Sequence, residues 1–300
     1  MRSAKTNTFL EMNNTVAKNR NETVDVIRGI AMLMVVLGHT ISGTCIGYDD
    51  SFLFKVIWTL QMPMFFIVSG YVTRYSKPLA TMGQFGRFLK KRTLAYLFTW
   101  AVWTFLVRGI IFGQYNFFDL KYLLWHMDTG YWFLVSLWSI VVIFGLSDWL
   151  TNKFLPKSKA GSIMLHLIFV AIGIVALGAI GLLMGLSFLS IKLSLFYAPL
   201  FIAGYVYGQL QDKIMKWEDS HRFVSITYAL AFAVWLILIV RLNFYNTDMT
   251  FQLIALRYLV STCGCIAIMG FISALYIGGG VRSFLPVDIR SKYICSITCC

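Results

Sequence analysis

The chain has 300 residues, of which 58% are hydrophobic, 16% aromatic and only 13% charged, with a mean hydropathy of +0.72. A soluble domain carries about 25% charged residues, so this composition excludes a water-soluble fold, a disordered chain and a cysteine-stapled secreted module. A net charge of +13 would point a soluble chain toward nucleic acid. In an apolar chain the charge serves membrane topology first, and no nucleic-acid partner is expected.

An α-helix needs about 20 mostly apolar residues to cross the hydrocarbon core. Eight runs meet that need, approximately 26–46, 52–72, 94–112, 131–150, 163–184, 191–209, 223–241 and 252–277. Ten-residue alternating runs of the barrel kind are absent, so the expected fold is all-α, a polytopic transmembrane helical bundle. Its parts are a cytoplasmic segment 1–25, one integral-membrane domain 26–280 and an atypical tail 281–300.

The first span begins after 25 polar residues and contains Arg28 and His39, which does not suit a cleavable signal peptide. Ionisable groups inside a span are costly unless paired, hydrated or functional. Arg28 and His39 are eleven residues apart, which offsets them by roughly 20° and separates them by about 16 Å along one face of a helix. Asp25, one turn below Arg28, shares that face and is placed to pair with it. Arg28 can also snorkel to lipid phosphate, and His39 can serve only as an interhelical hydrogen-bonding group. Imidazole is equally the side chain best suited to move protons near neutral pH.

The second span holds Gln61-Met62-Pro63, then Phe65-Phe66 and Ser69-Gly70-Tyr71, a pattern that on its own reads as a bend followed by small-residue packing. A basic stretch follows, with Arg74, Lys77, Arg87, Lys90, Lys91 and Arg92 leading into the third span. Besides anchoring to lipid headgroups, it exceeds what orientation alone requires. An outer loop with His126 and Asp128 leads to Tyr131 and Trp132, where an aromatic belt is the ordinary reading. His166 falls near the inner end of the fifth span, whose glycines, Gly173, Gly178, Gly181 and Gly185, read as close helix packing. The six cysteines form no disulfide or zinc pattern, and no metal site is expected.

With the amino terminus in the cytoplasm, 20 of the 26 Lys and Arg residues fall on the cytoplasmic side; Lys55, Arg108, Lys121, Lys192, Arg241 and Arg257 fall outside. Short loops follow the positive-inside rule, so the surplus charge orients the bundle.

Taken in order, Asp25 and Arg28-Gly29-Ile30-Ala31 running to Gly38-His39, then Met62-Pro63, Phe65-Phe66 and Ser69-Gly70-Tyr71, then Lys91-Arg92, then Tyr131-Trp132-Phe133-Leu134, resemble the membrane-bound acyltransferase family 3. These enzymes O-acetylate bacterial polysaccharides, and the sequence looks closest to the fucose-4-O-acetylase-like branch. The resemblance is legible from residue 22 to about 210. It implies an acyl-CoA donor, acetyl-CoA above all, on the cytoplasmic side of a bacterial inner membrane. It implies a glycan acceptor at the outer side, and Arg28 with His39 as the catalytic pair.

Acyl transfer from a thioester to an alcohol needs a base, a stabilised oxyanion and a clamp for the anionic donor. His39 is the expected base. Arg28, Arg87, Lys90, Lys91 and Arg92 are the expected phosphate ligands, and Asp25, Ser69, Tyr131 and Trp132 the expected cavity lining. A covalent acyl intermediate on His39 or Ser69 stays open. The family pattern places a second arginine three residues after Arg92, where this chain has Ala95. The family also has about ten spans, against eight runs here, which marks 281–300 as resembling a truncated or frame-shifted end. The rival function is a transporter or flippase of lipid-linked glycan in which Arg28 and His39 line a path.

Overall fold

The computed structural model describes residues 22–126, 132–154, 158–214, 220–241 and 251–277, and among these the regular structure is helical throughout. The helices are α1 (Glu22–Thr44), α2 (Phe52–Val72), α3 (Met82–Ile111), the short α4 (Leu120–Trp125), α5 (Trp132–Phe154), α6 (Lys159–Met184), α7 (Ile191–Ile214), α8 (Ser220–Arg241) and α9 (Phe251–Ile277). Every expected span is helical. Seven are long and apolar enough to cross a membrane, and α8 contributes the shorter apolar stretch Ser225–Val240. The protein is therefore a polytopic helical membrane protein.

The third span differs from its expected start at residue 94. It is continuous from Met82 because Thr81 forms a capping box: its hydroxyl accepts from the Gln84 N–H, and the Gln84 side-chain oxygen accepts from the backbone N–H of Thr81. The basic run thus lies on a helix rather than in a loop. Farther along, the helix widens to π geometry over Leu94–Phe98 and Val102–Ile111.

The chain divides into two units, one comprising residues up to Phe65 and from Met215 onward, the other Phe66–Ile214. In the first, α8 and α9 pack as an antiparallel pair and α9 also packs on α1. Glycines set the close approaches. A Cβ on Gly264 would meet the Trp235 ring and Leu60, and one on Gly270 would meet Tyr228. Leu60, Trp235, Ile239, Val260 and Cys265 fill this core.

The second unit contains the end of α2 with α3, α5, α6 and α7. Gly70 on α2 faces the Phe201 carbonyl, and Gly204 on α7 faces the Ile67 carbonyl, so the two helices touch backbone to backbone. Aromatic rings fill the space around this crossing. Phe66 stacks on Tyr197 at 4.6 Å, Tyr197 stacks on Trp132 at 5.3 Å, and Phe144 meets Phe201 at 4.6 Å. Gly173 of α6 accommodates Ile143 and Gly181 accommodates Ile191, as the sequence reading expects, whereas Gly178 makes only ordinary contact with Leu195 and Gly185 ends the helix at a φ of 96° instead of packing closely against a neighbour. The turn into α7 is backbone-strained, with Leu189 and Ser190 at φ of 48° and 54°. Hydroxyls of Ser136 and Ser194 both donate to the Ser190 carbonyl and hold it in place.

Candidate functional site

The first unit carries Asp25, Arg28 and His39 on the single uninterrupted helix α1, so the eleven-residue spacing keeps Arg28 and His39 on one face. Asp25 and Arg28 are half-buried, and His39 is exposed. Gly38, immediately before His39, is buried where α2 crosses α1. A Cβ there would lie 2.8 Å from the Gln61 Oε1 and 3.1 Å from Ile57. One turn earlier on α2, Trp58 receives the Arg257 guanidinium over its ring at 5.6 Å.

The second unit carries the other expected residues. On α3, Phe85 is buried and stacks on Trp149 at 6.0 Å, while Phe88 packs into the gap left by Gly145. With these two rings turned inward, Arg87, Lys90 and Lys91 are exposed at i, i+3 and i+4 spacing, a single cationic face. Arg92 is different. It is half-buried, with its guanidinium 5.6 Å over the Phe88 ring, so its stem and charge serve the packing of α3 on α5 as well. The segment leading into α3 is fixed by the Leu79 N–H, which donates to Asp148 Oδ2 at 2.7 Å.

At the end of α2, Gln211 Oε1 accepts from both Tyr71 Oη at 2.6 Å and Arg74 Nη1 at 2.7 Å, and the Tyr71 and Tyr75 hydroxyls meet at 3.2 Å. Arg74, the first cation of the basic stretch, is thus built into the α2–α7 junction. Sequence reasoning saw only its charge.

Ser69 is half-buried, one turn beyond Phe66 on α2. Trp132 opens α5, where Tyr197 occupies one face of its indole and Phe133 its edge. Trp132 is half-buried and packed into this aromatic stack. Tyr131 and Asp128 lie outside the described residues.

His126 stacks on Tyr122 at 4.3 Å, and its Nδ1 lies 3.0 Å from the Tyr122 carbonyl. Its own helix turn thus orients this imidazole. H126A is expected to retain acyl transfer within about twofold, as for a surface change; measuring the initial rate in membranes checks this. His166 is buried between Phe144 at 5.4 Å and Tyr205 at 5.0 Å, and its Nε2 has no hydrogen-bond partner among the described residues. Among the described residues no group of three His, Cys, Asp or Glu side chains converges as a metal site.

Among the described residues, seven apolar helices define a multi-pass membrane protein, in which α1 carries Arg28 and His39 on one face and α3 carries a cationic face. The comparisons make the class specific: the acyltransferase family 3 model, described as an acyltransferase domain, matches residues 21–298, and the chain belongs to that family. The match extends well past residue 210, where the resemblance ceases to be legible by motif. Nodulation protein NolL of Sinorhizobium fredii is 38% identical over 60 residues, covering 19% of this chain and 16% of NolL. The matched segment thus spans less than a fifth of either protein. No solved structure matches the chain.

Proposed function

We propose that the chain is a membrane O-acyltransferase that moves an acetyl group from cytoplasmic acetyl-CoA to a hydroxyl of an envelope or capsular glycan at the outer side of a bacterial inner membrane. The observation carrying this reading is family membership across residues 21–298 together with Arg28 and His39 on one face of α1. His39 removes the proton of the acceptor hydroxyl. Arg28 and the cationic face of Arg87, Lys90 and Lys91, with Arg92 at its edge, draw the coenzyme A phosphates, because guanidinium forks and ammonium groups suit phosphate oxygens. Ser69, Trp132 and Tyr131 line the path of the sugar and acyl group. The amino terminus is cytoplasmic in this arrangement, and the donor reaches α3 from that side.

The test uses membranes from a strain lacking the chain and complemented with it, supplied with [14C]acetyl-CoA, with label counted in alkali-labile esters of the envelope glycan. Label that depends on the chain supports the reading. Glycan movement across the membrane without incorporated label identifies a flippase instead. Replacing Arg87, Lys90 and Lys91 together by Gln is expected to raise the KM for acetyl-CoA by about 10- to 100-fold, from three charge-assisted contacts of about 0.5–1 kcal/mol each after solvent screening. A KM within twofold of the parent would remove these residues from the donor clamp.

A further inference from the structure

Gln61 is a polar side chain in the middle of a membrane-spanning helix, and its Oε1 is buried with no hydrogen-bond partner among the described residues. Leaving such an atom unpaired is destabilising, so an apolar residue would serve simple packing better. The oxygen rests against the buried backbone of Gly38, the residue preceding His39. Any side chain at position 38 would press on it. Gln61 as a whole is only half-buried, and its amide N–H groups are the donors the side chain has to offer. One turn away on the same face of α2, Trp58 carries the Arg257 guanidinium, a cation inside the span of α9.

We infer that Gln61 is a catalytic residue of the first unit, its amide N–H donating to the oxyanion that forms when the acceptor attacks the acyl carbonyl beside His39. The inference rests on His39 as the base of the proposed reaction. A ring nitrogen of His39 takes the hydroxyl proton as the acceptor oxygen bonds to the carbonyl carbon. The carbonyl π pair moves onto its oxygen, where Gln61 donates, and the pair then returns as the C–S bond of the acetyl thioester breaks. The thiolate leaves and takes the proton back from the imidazolium. A donor placed where charge develops, in a site poor in water, acts mainly on the transition state. Gln61 therefore affects turnover rather than binding.

Three variants test this in the [14C]acetyl-CoA membrane assay, with thermal unfolding of the purified full-length chain measured in parallel. Q61M removes both polar ends while keeping the length. Q61E keeps an oxygen for Gly38 but replaces the NH2 with a second oxygen. Both are expected to lower Vmax by about 100- to 1,000-fold with the acetyl-CoA KM within threefold, and Q61M is expected to keep or raise the unfolding temperature. A Vmax within threefold of the parent for either variant, a loss confined to KM, or a Q61M unfolding temperature that falls with activity overturns the assignment. H39A separates the two levels. If H39A is inactive and Q61M active, only the Gln61 assignment fails; if H39A is active, the base reading fails and the Gln61 assignment falls with it.

Discussion

H39A should lose acetyl transfer by about 100- to 10,000-fold, the usual contribution of a positioned general base, while the folded protein stays as stable as the parent. The two halves of this expectation have separate grounds. The catalytic half follows from the chemistry proposed for the acceptor hydroxyl. The stability half follows from exposure: His39 is on an exposed stretch of α1 that also includes Val36, Leu37 and Thr40. Surface substitutions away from caps, cavities and networks usually change stability by no more than about 0.5 kcal/mol. If His39 were only a hydrogen-bonding link between helices, H39A would lower the unfolding temperature and leave much of the rate. H39Q sharpens the distinction, since it keeps hydrogen-bonding capacity but cannot cycle a proton. It should be as inactive as H39A. Initial rates from [14C]acetyl-CoA at matched chain amounts, alongside unfolding temperatures, decide the matter; an active H39Q would end the base assignment.

The sequence makes the spans of this protein legible because long apolar runs have no other solution in a bilayer. It also makes the register of Arg28 and His39 legible, since a helix fixes the angle between any two of its residues. The start of α3 at Met82 was readable in principle from Thr81 and Gln84, the two residues of its capping box. What stays hidden are contacts between segments far apart in the chain. Nothing in the periodicity of α7 announces that Tyr197 will cover one face of Trp132, or that Gln211 will hold Tyr71 and Arg74. Arg257 illustrates the point: in the sequence it is one of six outer cations, and in the fold it is stacked on Trp58, one turn from Gln61. Gln61 itself was visible as a polar residue in a span. Its meaning depended on knowing that Gly38 lies against it.

G70V and G204V should each prevent the second unit from holding its fold, a larger effect on stability than any other single change considered. Ser69-Gly70 reads in the sequence as a small-residue contact, but its partner cannot be found there. That partner is Gly204, 134 positions later on α7. The two glycines are reciprocal: each brings its own helix against a backbone carbonyl of the other, Phe201 for Gly70 and Ile67 for Gly204. A backbone carbonyl cannot rotate away as a side-chain tip can. Even a Cβ must therefore push the helices apart, and the displacement would spread to Phe66, Phe201 and the Phe66–Tyr197–Trp132 stack. Overpacking a core ordinarily costs about 1–3 kcal/mol, and more where the backbone must move, against a total stability of about 5–15 kcal/mol. The close approach also brings backbone C–H groups near carbonyl oxygens, a weak attraction that separation would forfeit. Joining the two substitutions should not rescue either, because each side chain meets a different carbonyl. Gly83 gives the contrast, being a helical glycine with open space around the position of its Cβ. G83A should be neutral or stabilising by up to about 1 kcal/mol. The fraction of chain remaining monodisperse after detergent extraction, with its unfolding temperature, measures all of these. A G204V chain that extracts and unfolds like the parent would show that α2 and α7 do not meet at these residues.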